Sequence, residues 1–249
     1  MRERWRFYDA GEQAGEEAMA VGETLLRATG AESLPILHLW RWAAPALSIG
    51  YSQSVARFDL ERLGAAGGRL VRRPTGGKAV LHLRDVSYSL VVPVGYRDWA
   101  RGMRPPYLFV EAAIRLAFQR GGRPCLQPGP EPTIHAGSLA CSDDVYPYEL
   151  MAGGRKVLGS AQKRTRAGIL VQGTIAPRGP VNLAPILAGA VGPVGPLALE
   201  RPVGPPGLAD IAAAFAEVHG LAFEPYVPED EVEAGKYADP GWNLGRISR

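Results

Sequence analysis

Apolar and polar positions along this chain follow two rhythms, and each rhythm predicts its own kind of element. A helical spacing runs through residues 12–27, where Ala14, Ala18, Met19, Val21, Leu25 and Leu26 fall roughly on one face. It recurs in 106–120 through Leu108, Val110, Ala113, Ile114, Ala117 and Phe118, with Gly121-Gly122 as the stop. Residues 208–219 are a third amphipathic helix and 229–237 a weaker one. Residues 59–66 predict a short helix with Phe58-Asp59 as staple and cap, and 183–187 another. Alternating or short apolar runs predict strands at 5–8, 36–42, 46–50, 69–73, 79–82, 87–92 and 168–176. Gly153-Gly154 between 148–152 and 156–159 predicts a hairpin. Residues 121–137 and 177–207 are rich in Pro and Gly and read as loops.

Helices and short strands intermingle here without regular alternation. The expected class is therefore α+β, with mixed and antiparallel sheets flanked by helices. The length of 249 residues suits a single domain spanning 1–249, with 208–249 as the place where a small C-terminal subdomain could stand apart.

Composition narrows the partners. The chain lacks an apolar run long enough for a bilayer, and its opening Met-Arg-Glu-Arg-Trp-Arg leads into no signal-peptide core, so a cytoplasmic protein without a membrane partner is expected. A net charge of +3 is too mild for a nucleic-acid partner but suits an acidic protein. Cys125 and Cys141 are expected to stay reduced, and no metal-ligand spacing is present, so no metal site is expected. Four of the 28 basic residues are lysines, which makes Lys78 and Lys156, both in Gly-rich motifs, informative.

Candidate chemistry lies in residues 71–82. Arg72, Arg73 and Lys78 flank a Thr75-Gly76-Gly77 turn whose glycines let a ligand approach the main chain closely. Three cations there would face an anion or a polarised carbonyl, although a hairpin with solvated charges fits the same residues. The P-loop, the dinucleotide fingerprint, His-Glu-x-x-His and Gly-x-Ser-x-Gly are all missing. His38 reads as structural, His219 as a helix cap or a solvated residue, and His135 stays open. Cys141, just before the hairpin that delivers Lys156, is the candidate nucleophile: a nearby ammonium stabilises a thiolate. A buried, inert small residue is the alternative for Cys141. Cys125 is the weaker candidate of the two.

The run Arg72-Arg73-Pro74-Thr75-Gly76-Gly77-Lys78-Ala79-Val80-Leu81-His82 resembles the signature of the lipoate–protein ligase and octanoyltransferase superfamily. Gly154-Arg155-Lys156-Val157-Leu158-Gly159-Ser160-Ala161-Gln162 resembles its lysine motif, and Gln172-Gly173-Thr174-Ile175 the strand after it. Weaker likenesses lie at 19–26, 47–51 and 237–244. The order of Cys141, Asp143, Tyr148-Glu149 and Lys156 is most similar to LipM-type octanoyltransferases. Two departures stand out: Gly22 where the family usually has an acid, and Leu83 where Asp commonly follows the histidine, which bears on how His82 is oriented.

The resemblance implies the catalytic-domain fold of biotin/lipoate–protein ligases and transfer of an octanoyl group from octanoyl-acyl carrier protein to a lysine of a lipoyl domain, such as glycine cleavage H protein. It implies Cys141 as nucleophile and Lys156 as the group that favours its thiolate and holds the acyl carbonyl oxygen. Arg72, Arg73 and Lys78 would meet the acidic faces or phosphopantetheine of the partner proteins. Thr75, Gly76 and Gly77 would wall the acyl carbonyl, with His82, Gly159, Ser160 and Ala161 in the substrate pocket. No cofactor is implied, since a thioester arrives already activated, and a monomer is expected. Three alternatives stay open: an ATP-dependent lipoate–protein ligase, for which a further C-terminal domain would be expected; an amidotransferase between lipoyl domains; and a non-catalytic acyl- or partner-binding module.

Overall fold

The computed structural model describes residues 1–83, 85–123, 132, 134, 138–141, 144–176, 181–192, 195–197, 206–228, 232 and 234–245. Its strands are β1 (Glu3–Gln13), β2 (Ile36–Trp42), β3 (Ala46–Ile49), β4 (Arg69–Arg72), β5 (Val80–His82), β6 (Val86–Pro93), β7 (Met151–Ala152), β8 (Arg155–Lys156), β9 (Leu158–Arg164), β10 (Gly168–Ile175) and β11 (Leu221–Pro225). The helices are α1 (Gly15–Ala28), α2 (Leu60–Ala65), α3 (Arg104–Arg120), α4 (Leu208–His219), α5 (Gly235–Ala238) and α6 (Pro240–Leu244). A six-stranded sheet runs in the order β11-β1-β2-β6-β10-β9, and a three-stranded sheet in the order β4-β3-β5. Both mix parallel and antiparallel pairs, so the α+β expectation holds.

The alternation of side chains explains how the large sheet is covered on both faces. On one face Val86, Tyr88 and Leu90 of β6 and Ile169 and Val171 of β10 pack under α3 and α4, which contribute residues such as Phe118 and Phe215. On the other, Ile36, Val91 and Leu170 meet Val21, Leu25 and Leu26 of α1, while Trp40 and Trp42 meet Ala18 and Met19. This second face also carries His38, Ser87, Ser89 and Gln172, all buried. Buried polar groups in the middle of an apolar sheet need partners, and their clustering marks where the fold departs from a plain core. The small sheet stands opposite that face.

Several expectations change. β1 continues past Tyr8 to Gln13, because a register shift between Asp9 and Glu12, with Gly11 at φ +61°, carries the strand around its turn-like stretch. Gly220, at φ +66°, turns the chain out of α4 into β11, an unexpected strand parallel to β1. α4 and Leu221 join the core under the large sheet, so residues 208–225 extend that core. The helix expected over 229–237 is confined to α5 among the described residues, and α6 follows it with Asp239 capping Gly241 N at 2.8 Å. Most of 121–137 lies outside the described residues; of 183–187, residues Ala184–Ile186 form a single 3₁₀ turn.

The C-terminal segment is clasped from two sides. Arg72, 1% exposed, donates from its guanidinium to the carbonyls of Gly50, Tyr51, Gln53, Trp242, Asn243 and Gly245. It therefore ties α6 to the end of β3 and is not available to a partner protein. That corrects the surface role expected for it. On the other side Glu23 accepts from Lys163 at 2.9 Å, Lys236 at 2.6 Å and the Tyr237 hydroxyl at 3.0 Å. Burial raises the Glu23 pKa, but the bonds from Lys236 and Lys163 outweigh it and bring the group down to about 2. A carboxyl depressed from 4.5 stabilises the fold above its unfolded value and loses that contribution as pH falls toward 2. Unfolding curves recorded between pH 6 and pH 2 should thus show a pH-dependent component that disappears in Glu23→Gln.

Candidate active site

Main-chain geometry brings the cysteine to the glycine turn. Gly77 takes φ +91°, and a Cβ on Gly50 would lie 1.9 Å from its carbonyl oxygen, so the end of β3 and the turn meet backbone against backbone. After the turn Ala79 pairs with Ala140: Ala79 N donates to Leu139 O and Cys141 N to Ala79 O, both at 3.0 Å. Cys141, a half-buried free thiol, is thereby fixed beside residues 76–79.

Lys156 arrives from the hairpin. Gly153 and Gly154, at φ +55° and +72°, make the tight reversal that pairs β7 with β8, and Lys156 points inward from β8. Its Nζ lies 3.5 Å from Cys141 Sγ, 2.9 Å from Cys141 O, 2.9 Å from Asp144 O and 2.7 Å from Glu149 Oε1. Burial would drive this ammonium toward neutrality, but the charges of Cys141 and Glu149 raise its pKa above the ordinary lysine value. Glu149 in turn is raised by burial against the pull of Lys156. The lysine is therefore a fixed cation at the sulfur. Three N–H groups already face four acceptors, so holding an acyl carbonyl oxygen as well would require one of these bonds to be exchanged. That sharpens the expected role of Lys156 to the charge at sulfur.

A cleft opens between the α1 face of the large sheet and the small sheet. Cys141, Lys156, Arg73 and Gly77 line its reactive end; Val80, Leu81, Leu158, Trp40 and Met19 supply apolar wall. A mostly apolar cleft with a few converging polar groups suits an acyl chain with a reactive carbonyl. Gly159 lies against the dyad: a Cβ there would stand 3.2 Å from Lys156 Cε and 3.4 Å from Cys141 Sγ. Its missing side chain leaves room in front of the sulfur.

The cleft gathers His82, Gly159, Ser160 and Ala161 with the dyad, as well as Arg73 and Gly77. Other residues of the expected site lie behind it. Thr75 is buried and donates to Gln172 Oε1 at 3.0 Å, and Gly76 gives its carbonyl to Arg73, so both support the wall rather than form it. Lys78 pairs with Asp144 at 2.6 Å, joining the turn to the segment after Cys141, which corrects the purely outward role expected of it. Burial lowers Arg73 to about 10, still charged at neutral pH. His38, in a stack between Tyr8 and Trp40, is pushed down by burial to about 3 and stays neutral. His219 bonds Phe109 O at 2.8 Å and stacks on that ring, neither capping its own helix nor standing in solvent. Cys125, His135, Ser142 and Asp143 lie outside the described residues. Two residues went unnoticed in the sequence, Ser48 and Asp85: His82 bonds Ser48 Oγ and Asp85 Oδ2, each at 2.6 Å. Asp85 thus supplies, three positions on, the acid that Leu83 does not.

Comparison by sequence and by fold finds relatives. The chain is 38% identical over 186 residues to Octanoyltransferase LipM of Symbiobacterium thermophilum, covering 70% of this chain and 66% of the relative. It is 37% identical over 179 residues to Octanoyltransferase LipM of Kyrpidia tusciae, covering 69% and 65%. The match thus spans just under two thirds of the length of these curated relatives. Among solved structures, a putative lipoate protein ligase from T. acidophilum with bound lipoic acid superposes with a TM-score of 0.70 at 20% identity, over 98% of this chain and 100% of the other. A lipoate-protein ligase A bound with ATP gives 0.71 at 20% identity, over 99% and 100%. These two show the fold. The family model for the lipoyl protein ligase A/B catalytic domain matches residues 14–182, a span that contains the glycine turn, Cys141 and Lys156. The chain belongs to the lipoyl protein ligase A/B catalytic-domain family.

Proposed function

We propose that this chain moves an octanoyl group from a thioester donor to the ε-amino group of a lysine on a lipoyl domain, through octanoyl-Cys141. The observation that carries this reading is the Lys156 ammonium 3.5 Å from Cys141 Sγ at the end of an apolar cleft. The names of the relatives, Octanoyltransferase LipM, point the same way.

The first step forms a bond between Cys141 Sγ and the acyl carbon and releases the donor thiol. In the second, the acceptor amine attacks that carbon, the C–N bond forms, the C–S bond breaks, and the proton lost by the amine ends on the departing Cys141 sulfur, restoring the thiol. Lys156 stabilises negative charge on sulfur in the attacking and leaving states. Gly77 walls the carbonyl, with Thr75 and Gly76 supporting it from behind, and Val80 and Leu81 line the channel for the chain. About six buried methylenes at ~0.8 kcal/mol each contribute on the order of 5 kcal/mol, enough to select for chain length. Octanoyl-acyl carrier protein is the donor in this reading, and a lipoyl domain such as that of glycine cleavage H protein the acceptor. The thioester is already activated, so ATP has no part. Residues 1–249 act as one catalytic domain, a cytoplasmic monomer.

Donor choice tests the assignment. With a lipoyl-domain acceptor, octanoyl-acyl carrier protein should support transfer without ATP. Transfer seen only with free octanoate or lipoate plus ATP would instead indicate a ligase. An octanoylated lipoyl domain as the only working donor would indicate an amidotransferase, and no transfer from any donor a binding module.

A further inference from the structure

Behind the reactive end of the cleft runs a chain of hydrogen bonds between side chains from both sides of the small sheet and the start of β6. Asp85 Oδ2 lies 2.6 Å from His82 Nδ1, and His82 Nε2 lies 2.6 Å from Ser48 Oγ. Ser48 Oγ lies 2.6 Å from Arg73 Nη1, and Arg73 Nη2 donates to Gly76 O at 3.1 Å and Lys78 O at 2.9 Å. Chemistry sets the direction. A guanidinium only donates and a carboxylate only accepts, so with a neutral imidazole each link donates one step further toward Asp85. Such aligned chains strengthen one another and hold one geometry.

Its inner members are shut away: Ser48, His82 and Asp85 are 0, 2 and 6% exposed. The Trp42 ring stacks on the imidazole at 3.8 Å, Trp42 Nε1 donates to Ser87 Oγ at 3.0 Å, and Ser87 Oγ donates to Asp85 Oδ2 at 3.3 Å. Ser48, His82 and Arg73 all line the same cleft as Cys141, and of the chain's four members only Arg73 is partly exposed. Arg73 also donates from Nη1 to Ser48 O at 2.9 Å, so both N–H pairs of its terminal nitrogens are committed. Among the described residues its partners are carbonyls and a hydroxyl, whereas Lys156 has the Glu149 carboxylate directly against it. Asp85 is the carboxylate at the far end of the Arg73 chain.

We propose that Ser48, His82 and Asp85 are positioning residues: acting through Arg73, they fix the glycine turn and hold the guanidinium charge at the cleft beside Cys141. The inference rests on the reading of Cys141 as the nucleophile, and its test can fail independently of that reading. The probes are iodoacetate and iodoacetamide, nearly the same size but one anionic and one neutral. In the wild-type chain a fixed Arg73 beside Lys156 favours iodoacetate at Cys141.

Ser48→Ala and Asp85→Asn break different links, and each should lower the ratio of iodoacetate to iodoacetamide rates by roughly tenfold. The rate of Cys141 acylation by an octanoyl thioester should fall alongside. The double variant should be no worse than the poorer single one, because both break one chain. Unchanged ratios in the single variants, or losses that add as for independent sites, would overturn the proposal. Ser48→Ala removes one oxygen and adds nothing, so the test stands even if Asp85→Asn fails to fold. Wild-type protein that alkylates with the iodoacetate preference yet forms no octanoyl-Cys141 would contradict the proposed function and leave this inference intact.

Discussion

Cys141→Ser is expected to lower octanoyl transfer by on the order of 10³-fold or more without unfolding the chain. The substitution exchanges one atom at a half-buried position whose main-chain bond to Ala79 is untouched. What changes is chemistry. A cation 3.5 Å away favours the charge that sulfur carries as it attacks and leaves, whereas a serine hydroxyl needs a general base, and Lys156 is kept protonated by its neighbours. Steady-state transfer from octanoyl-acyl carrier protein to a lipoyl domain, with thermal unfolding as the control, measures both halves of this expectation. A variant with more than about a tenth of wild-type activity would be incompatible with Cys141 as the nucleophile.

Lys156→Met should damage both activity and stability, and the two losses can be separated. Removing the ammonium leaves Glu149, 2% exposed, with the Tyr146 N–H but no countercharge, and takes a donor from the carbonyls of Cys141 and Asp144. Breaking a buried pair from one side costs about 3–5 kcal/mol. Glu149, already raised by burial, would then take up a proton more readily. Pairing Lys156→Met with Glu149→Gln should recover part of the stability, since the stranded charge is gone. It should not recover acylation of Cys141, expected to fall by about 100-fold or more in both variants because the ammonium 3.5 Å from the sulfur is gone. Urea midpoints and single-turnover acylation rates separate the outcomes; recovery of both together would mean that Lys156 matters only for folding.

The fold was legible where periodicity had a single cause. α3, α4 and the central strands carry one clear rhythm and lie close to where it predicts them. β11 was missed because five residues ending in proline, just after a helix stop, carry too little pattern; its existence depends on the open edge of β1, which is a tertiary fact. The site was legible as motifs but not as roles. Arg72 and Arg73 are adjacent, so their side chains leave the chain end of β4 in opposite directions. One clasps the C-terminal segment and the other faces the cleft, a split that two identical letters cannot reveal. Ser48 sits between Leu47 and Ile49 in an apolar run, inside a stretch whose likeness to the family is weak, yet a hydroxyl buried there needs a partner, and that need was the available signal. Asp85 was hidden for a different reason, since only the path of the chain from β5 into β6 brings it back to His82.

The most direct test of the central claim is mass spectrometry of the protein after incubation with octanoyl-acyl carrier protein in the absence of acceptor. The proposed route requires one octanoyl group on Cys141, labile to hydroxylamine, absent from Cys141→Ser when treated identically, and discharged from the wild type when a lipoyl domain is added. An unmodified Cys141 in a preparation that transfers octanoyl groups at full rate would contradict the account.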